Sequence, residues 1–264
     1  MRNFSSSLAR VQHIFKALYE MDPSGESWVK SLLATATRED SLHTAVTEIC
    51  LGHLVKPPQF EFPVDPSKTY LKWLIDHPEN LSSPPVTALK TWSATTQRMR
   101  SRFLLGDKEV QAVAISNIES CNSLPKTAWW RFEGVTNVDC ALITESTAIF
   151  IEGKRTERGP SKEVLWYKQR NQVHRNLDCA SAYAQKEGLR HYFVIAIIDR
   201  DLMKQNPIRQ KEWNTLMSRE VVYESLPHLN DRERIEITRH YAGVTTWEDI
   251  VERFGLGSKI LLHY

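Results

Sequence analysis

Val138-Asp139-Cys140-Ala141-Leu142-Ile143-Thr144, the pair Glu145-Ser146, and then Ala148-Ile149-Phe150-Ile151-Glu152-Gly153-Lys154-Arg155 read as a β-hairpin that carries ionisable residues on two otherwise apolar strands. A two-residue loop at 145–146 and a four-residue loop at 144–147 give the same register. That register sets Asp139 opposite Glu152, with their Cβ atoms roughly 5 Å apart. Lys154 lies two residues further on and shares the face of Glu152, because side chains alternate along a strand. Gly153 points the other way, where a missing side chain lets another element approach closely. Two carboxylates and an amine are therefore expected to converge at one end of a sheet.

Asp139 followed by Glu152-Gly153-Lys154 on a hairpin resembles the core of the PD-(D/E)XK nuclease superfamily, with Val138 where the pattern's name has proline. The resemblance covers roughly residues 107–199. It implies a restriction-endonuclease-like α/β core, a mixed central sheet flanked by helices. It implies a metal-dependent nuclease that hydrolyses phosphodiester bonds in DNA, with Asp139, Glu152 and the Gly153 carbonyl holding Mg²⁺ or Mn²⁺ and Lys154 placing the attacking water. The chemistry suits those groups independently, since Mg²⁺ takes oxygen ligands and is typically held by one or two carboxylates. A Glu-x-Lys tripeptide alone carries little weight, because ordinary usage yields about one by chance in a chain of this length. Here the only one falls on the apolar strand. Two other readings of the same residues are an ion cluster that blunts an edge strand and a catalytically inactive nucleic-acid-binding or assembly module that keeps the fold.

The 264 residues are 41% hydrophobic and 25% charged with a net charge of +2, a composition ordinary for a globular chain. No apolar run of signal-peptide or transmembrane type is present, and the four cysteines are widely spaced with no Cys-x-x-Cys. A cytoplasmic protein with reduced thiols is the expectation. Charge is unevenly distributed. Residues 153–190 hold nine basic and four acidic residues, +5 against −3 for the rest. A basic field beside a metal site suits a polyanionic partner, DNA above all. No His-Glu-x-x-His, nucleophile elbow, Walker A loop or dinucleotide fingerprint occurs.

Residues 1–105 read as an all-helical N-terminal region and 106–264 as the nuclease-like core with C-terminal helices. Helices are expected over 8–21, 27–37, 40–55, 67–77, 85–105 and 107–120. Seven of the twelve prolines fall between Pro57 and Pro85 and mark a loop-rich connection. A first strand is expected over 127–134, then the hairpin, a helix from Ser161 to Lys186 ended by Gly188, and a strand over 191–199 buried on both faces. Helices near 207–217 and 231–240 follow. Thr245-Thr246-Trp247-Glu248 reads as a capping box that opens a last helix.

On the long helix, Gln169, Gln172 and Asn176 recur at three- and four-residue spacing and can face one site. The resemblance favours Gln172 as the residue that completes it. Arg155, Arg170 and Arg175 are candidate phosphate contacts, as is Gln169, and His174 is a weaker one. Glu133, at the end of the first expected strand, is a candidate additional acid and ranks above Glu109 and Glu119. Trp129-Trp130 suits a core position better than base stacking.

Overall fold

The computed structural model describes residues 7–36, 49–82, 92–154, 166–205, 212–213 and 215–261. Along them run α1 (Ser7–Met21), α2 (Val29–Thr35), β1 (Gln59–Val64), α3 (Lys68–Asp76), α4 (Ala94–Leu104), α5 (Lys108–Ser120), β2 (Thr136–Ile143), β3 (Thr147–Gly153), α6 (Gln172–Glu187), β4 (His191–Ile198), α7 (Arg200–Gln205), α8 (Arg219–Ser225), α9 (Asp231–Thr238), β5 (Tyr241–Thr246) and α10 (Trp247–Arg253). No helix among the described residues is long and apolar enough to cross a membrane.

The hairpin forms in the expected register. Cys140 pairs with Ile151 and Ile143 with Ala148, and the same spacing continued by one residue sets Asp139 against Glu152. The five strands lie in the order β1-β2-β3-β4-β5. β2 runs antiparallel to both of its neighbours, β1 and β3, whereas β3, β4 and β5 are parallel. The fold is thus mixed α/β, with α6 crossing over between the parallel strands β3 and β4. β3 is the central strand, so its charges do not blunt an edge.

Helices cover both faces. Val11, Ile14, Phe15 and Leu18 recur at helical spacing on α1 and pack with Leu32, Trp247 and Ile250 against Ile149, Ile151, Phe193 and Ile195. On the opposite face, Val173, Leu177 and Ala180 of α6 join Val222 and Ile237 over Ala148, Phe150, Val194 and Ala196. Every residue of β3 is buried, as a central strand covered on both sides requires. A third cluster packs α3, α4 and α5 around Trp130, Phe132, Trp166 and Tyr167.

Several expectations are corrected. Residues 127–134 form no strand. Arginine side chains take up their carbonyls instead: Arg100 donates to Trp129 O and Arg131 O, and Arg131 donates to Glu133 O. The third antiparallel strand comes from the proline-rich stretch, where Phe60 pairs with Cys140 and Phe62 with Val138. Pro63 is tolerated there because β1 is an edge strand. The first 105 residues are therefore not all helical. Nor does 105/106 separate two cores, since α1 and β1 belong to the sheet core and Phe103 shares a cluster with Val110 and Phe132. β5 was not expected; its Gly243 and threonines resemble a loop, and pairing with buried β4 makes it a strand. The last helix begins one residue later than the capping pattern suggested, with Thr246 accepting from Asp249 N. α4 begins at its Ser93 cap rather than at Pro85, and 83–91 lie outside the described residues. Of the helix expected over 40–55, residues 40–48 also lie outside, and Leu54 bridges to Thr144 instead. The helix near 207–217 falls largely outside as well.

Gly153 allows the two faces to close. A Cβ built there would lie 2.7 Å from Val11 Cγ2 and 3.0 Å from two ring carbons of Trp247. The neighbours are a packed helix and a fully buried indole, so neither can yield easily. Gly153→Ala should cost about 1–3 kcal/mol by overpacking, read as a lower urea midpoint at unchanged slope. A midpoint equal to that of the unsubstituted chain would show that the approach is not tight.

Candidate metal centre

Glu152 stands near the end of β3 with only 2% of its surface exposed. A carboxylate so buried needs charged or hydrogen-bonding partners. Lys154 Nζ lies 2.9 Å from its Oε1, and Asn176 Nδ2 donates to its Oε2 at 3.0 Å. Lys154 Nζ also donates to Gln172 Oε1 at 2.7 Å. Its backbone is fixed on both sides, with its N–H donating to Ile197 O at 2.7 Å and its carbonyl accepting from Trp247 Nε1 at 3.0 Å. Asp139 is half-buried, and its Oδ2 accepts the Gly153 N–H at 2.8 Å. Its carboxylate thus lies one peptide from Glu152, where the β2–β3 ladder ends.

The structure therefore brings together Asp139, Glu152, Gly153, Lys154 and Gln172. Asn176 joins them; its place four residues after Gln172 was the available signal. Both sit on α6 because that helix begins at Gln172, capped by Asn171, whose side chain accepts from His174 N. The expected start at Ser161 lies outside the described residues, as does Arg155. Gln169 precedes the helix and is exposed, away from the shared face of Gln172 and Asn176.

Two further candidates are held elsewhere. Arg170 is fully buried, its Nε 3.0 Å from Glu133 Oε2 and its NH2 2.6 Å from Asp178 Oδ2. Its guanidinium stacks 3.6 Å from the centre of the Tyr70 ring. Burial alone would lower its pKa, but Glu133 and Asp178 raise it above the ordinary arginine value. It is a structural cation, closed to phosphate. Glu133 is likewise buried, between Arg170 and Arg175, with Arg175 Nε 3.4 Å from its Oε1. Burial pushes the Asp178 carboxyl upward, and His228 and Arg170 outweigh it and hold it below the ordinary range. Ser67, the cap of α3, donates to the same carboxylate at 3.0 Å. Of the basic candidates described, Arg175 stays partly open, with 22% of its side chain exposed. Lys68 and Lys72 engage the end of α5 and Glu119, and Glu109 is exposed at its start.

Sequence reading did not point to Glu61. It falls between the pairs Phe60–Cys140 and Phe62–Val138, level with Asp139, and has φ +46°, the one non-glycine residue with positive φ among those described. Such backbone costs of order 1–3 kcal/mol and gathers at functional sites. Around it the alternation of β1 and β2 shifts: Phe60 and Cys140 pack on the α1 face, Phe62 and Val138 on the α6 face.

The donor set is all oxygen, two carboxylates and the Gly153 carbonyl, and it fits a hard cation such as Mg²⁺ that keeps several of its waters. No group of three or more His, Cys, Asp or Glu side chains converges among the described residues. Backbone and water would complete the shell. Comparison with protein-family models, with curated proteins and with solved structures found no match for this chain.

His174 is fully buried, and loss of solvation pushes its pKa down to about 3. Its Nδ1 faces the Asn171 amide nitrogen at 2.7 Å, which makes it an acceptor and leaves the proton on Nε2. It cannot contact phosphate. Above pH of about 6.5 the ring is neutral folded or unfolded. Between there and about pH 3 the unfolded chain binds a proton that the folded chain refuses, so stability falls as pH falls, by at most about 1.4 kcal/mol per pH unit. Urea unfolding between pH 7.5 and 4.5 should show this loss, and His174→Gln should flatten it. An equal slope in both proteins would rule out His174 as its source.

Proposed function

We propose that this chain is a divalent-metal-dependent nuclease of the PD-(D/E)XK type that hydrolyses phosphodiester bonds in DNA. The observation that carries the reading is the junction of Asp139, Glu152 and Lys154 at the end of the central strand, with Gln172 on the lysine amine. The sheet order, antiparallel through β3 and parallel beyond it, supports the same assignment.

Asp139, Glu152 and the Gly153 carbonyl would hold Mg²⁺, with Mn²⁺ as a substitute. A cation so held polarises a phosphoryl oxygen and lowers the pKa of its bound water. Lys154 has three N–H donors; Gln172 engages one, and those not on Glu152 are offered to the attacking water or to a phosphoryl oxygen. The amine acts as a positive charge that stabilises negative charge building on phosphorus. Gln172 orients it. Arg175, half open at the same end of α6, supplies a phosphate contact.

DNA incubated with the chain and Mg²⁺ should be cleaved, with activity lost in EDTA and restored by Mn²⁺. Asp139→Asn, Glu152→Gln and Lys154→Ala should each lower the rate by roughly a thousandfold or more, with circular dichroism showing the fold retained. Undiminished cleavage by all three variants would sink the mechanism. Salt-dependent DNA binding with no turnover by the unsubstituted chain would instead favour a non-catalytic module.

A further inference from the structure

Both oxygens of Glu152 are engaged by protein groups, and the two engagements differ in what it takes to undo them. Asn176 is fully buried on α6, a helix fixed to the sheet by Val173, Leu177 and Ala180. Its Nδ2 donates to Glu152 Oε2, while its own Oδ1 is buried with no hydrogen-bond partner among the described residues. Giving up Glu152 would leave the whole buried amide unsatisfied, and that is the costly kind of loss. Lys154 is buried as well, and its side chain differs. It sits at the end of a strand on a flexible four-carbon stem, and it keeps its 2.7 Å bond to Gln172 if it leaves Glu152.

Resting on the metal-site reading above, we propose that Glu152 presents a single oxygen to a cation: Asn176 fixes Oε2 as a positioning residue, and Lys154 occupies Oε1 as an internal cation that a divalent metal displaces. The ammonium and the metal compete for the same charge, and like-charge repulsion forbids both from contacting Oε1 closely.

The two neighbours of Glu152 should then affect metal affinity with opposite signs. Mn²⁺ binding to the full chain, measured by electron paramagnetic resonance and by thermal shift without DNA, should tighten about ten-fold in Lys154→Met and weaken about ten-fold in Asn176→Leu. Lys154→Met should also melt lower than the unsubstituted chain without Mn²⁺ and gain more from its addition, because a buried carboxylate has lost its partner. Lys154→Gln serves as the second variant should the methionine fail to fold, with the same tightening expected. Equal or weaker Mn²⁺ binding in the Lys154 variants, or unchanged binding in Asn176→Leu, would overturn the proposal while leaving the metal site standing. Binding that Glu152→Gln does not weaken, or no binding at all, would overturn the metal site along with it.

Discussion

A charge on a strand covered by helices on both sides has no access to water, and Glu152 is in that position. The arrangement around it follows from this constraint. The strand cannot release the carboxylate to solvent without disrupting β3, so donors must come to it: Lys154 from the strand's own continuation, Asn176 from α6. Those donors reach it because α6 begins at Gln172 and crosses the sheet at its first two turns. The strand end, the helix start and the closeness of α1 and α10 over Gly153 are thereby coupled. A shift in one would leave a buried charge or a steric clash in another.

Among the described residues are two buried ionic assemblies of different character. Around Arg170, the Glu133 and Asp178 carboxylates, His228, Ser67 and the Tyr70 ring close on one guanidinium that has no exposure. It ties the segment before α6 to α3 and to the loop before α9, and removing one member would leave the others unpaired at a cost of roughly 3–5 kcal/mol. The assembly around Glu152 is not sealed in the same way: Asp139 is half-buried, and the site lies where the β2–β3 ladder stops. The two differ in exposure more than in charge content: one is closed around its guanidinium, the other has a half-buried member in Asp139.

The segment before β2 shows how an extended, aromatic-rich stretch can stay out of a sheet. Trp130 and Phe132 are buried, yet Arg100 and Arg131 satisfy the carbonyls around them. Arg100 also lies 4.0 Å from the centre of the Trp92 ring and near Phe132 and Trp166, and burial lowers its pKa to about 10. With the backbone satisfied locally, no ladder is required, and the place beside β2 is taken by Gln59–Val64.

Local pattern alone determined the hairpin and its register, the apolar strand over 191–198, the α1 stripe and the glycine that had to lack a side chain. Each is written in neighbouring residues: period-two alternation, a short loop between apolar runs, helical spacing. Helical spacing grouped Gln172 with Asn176, and the family resemblance singled out Gln172. The strands β1 and β5 were not legible, because Pro63 and Gly243 argue against a strand locally and only pairing with β2 and β4 overrides them. Nor could spacing tell which charges would be used up inside. Arg170 and Glu133 are three and six residues from Val173 and Asp139, near enough to the site in sequence to be taken for parts of it. Their burial against Asp178, Tyr70 and Arg175 is a long-range outcome. The tertiary structure alone decided that they are used up inside the fold while Asp139, Glu152 and Lys154 meet where the β2–β3 ladder ends, because desolvation depends on what packs around a charge and not on its neighbours in the chain.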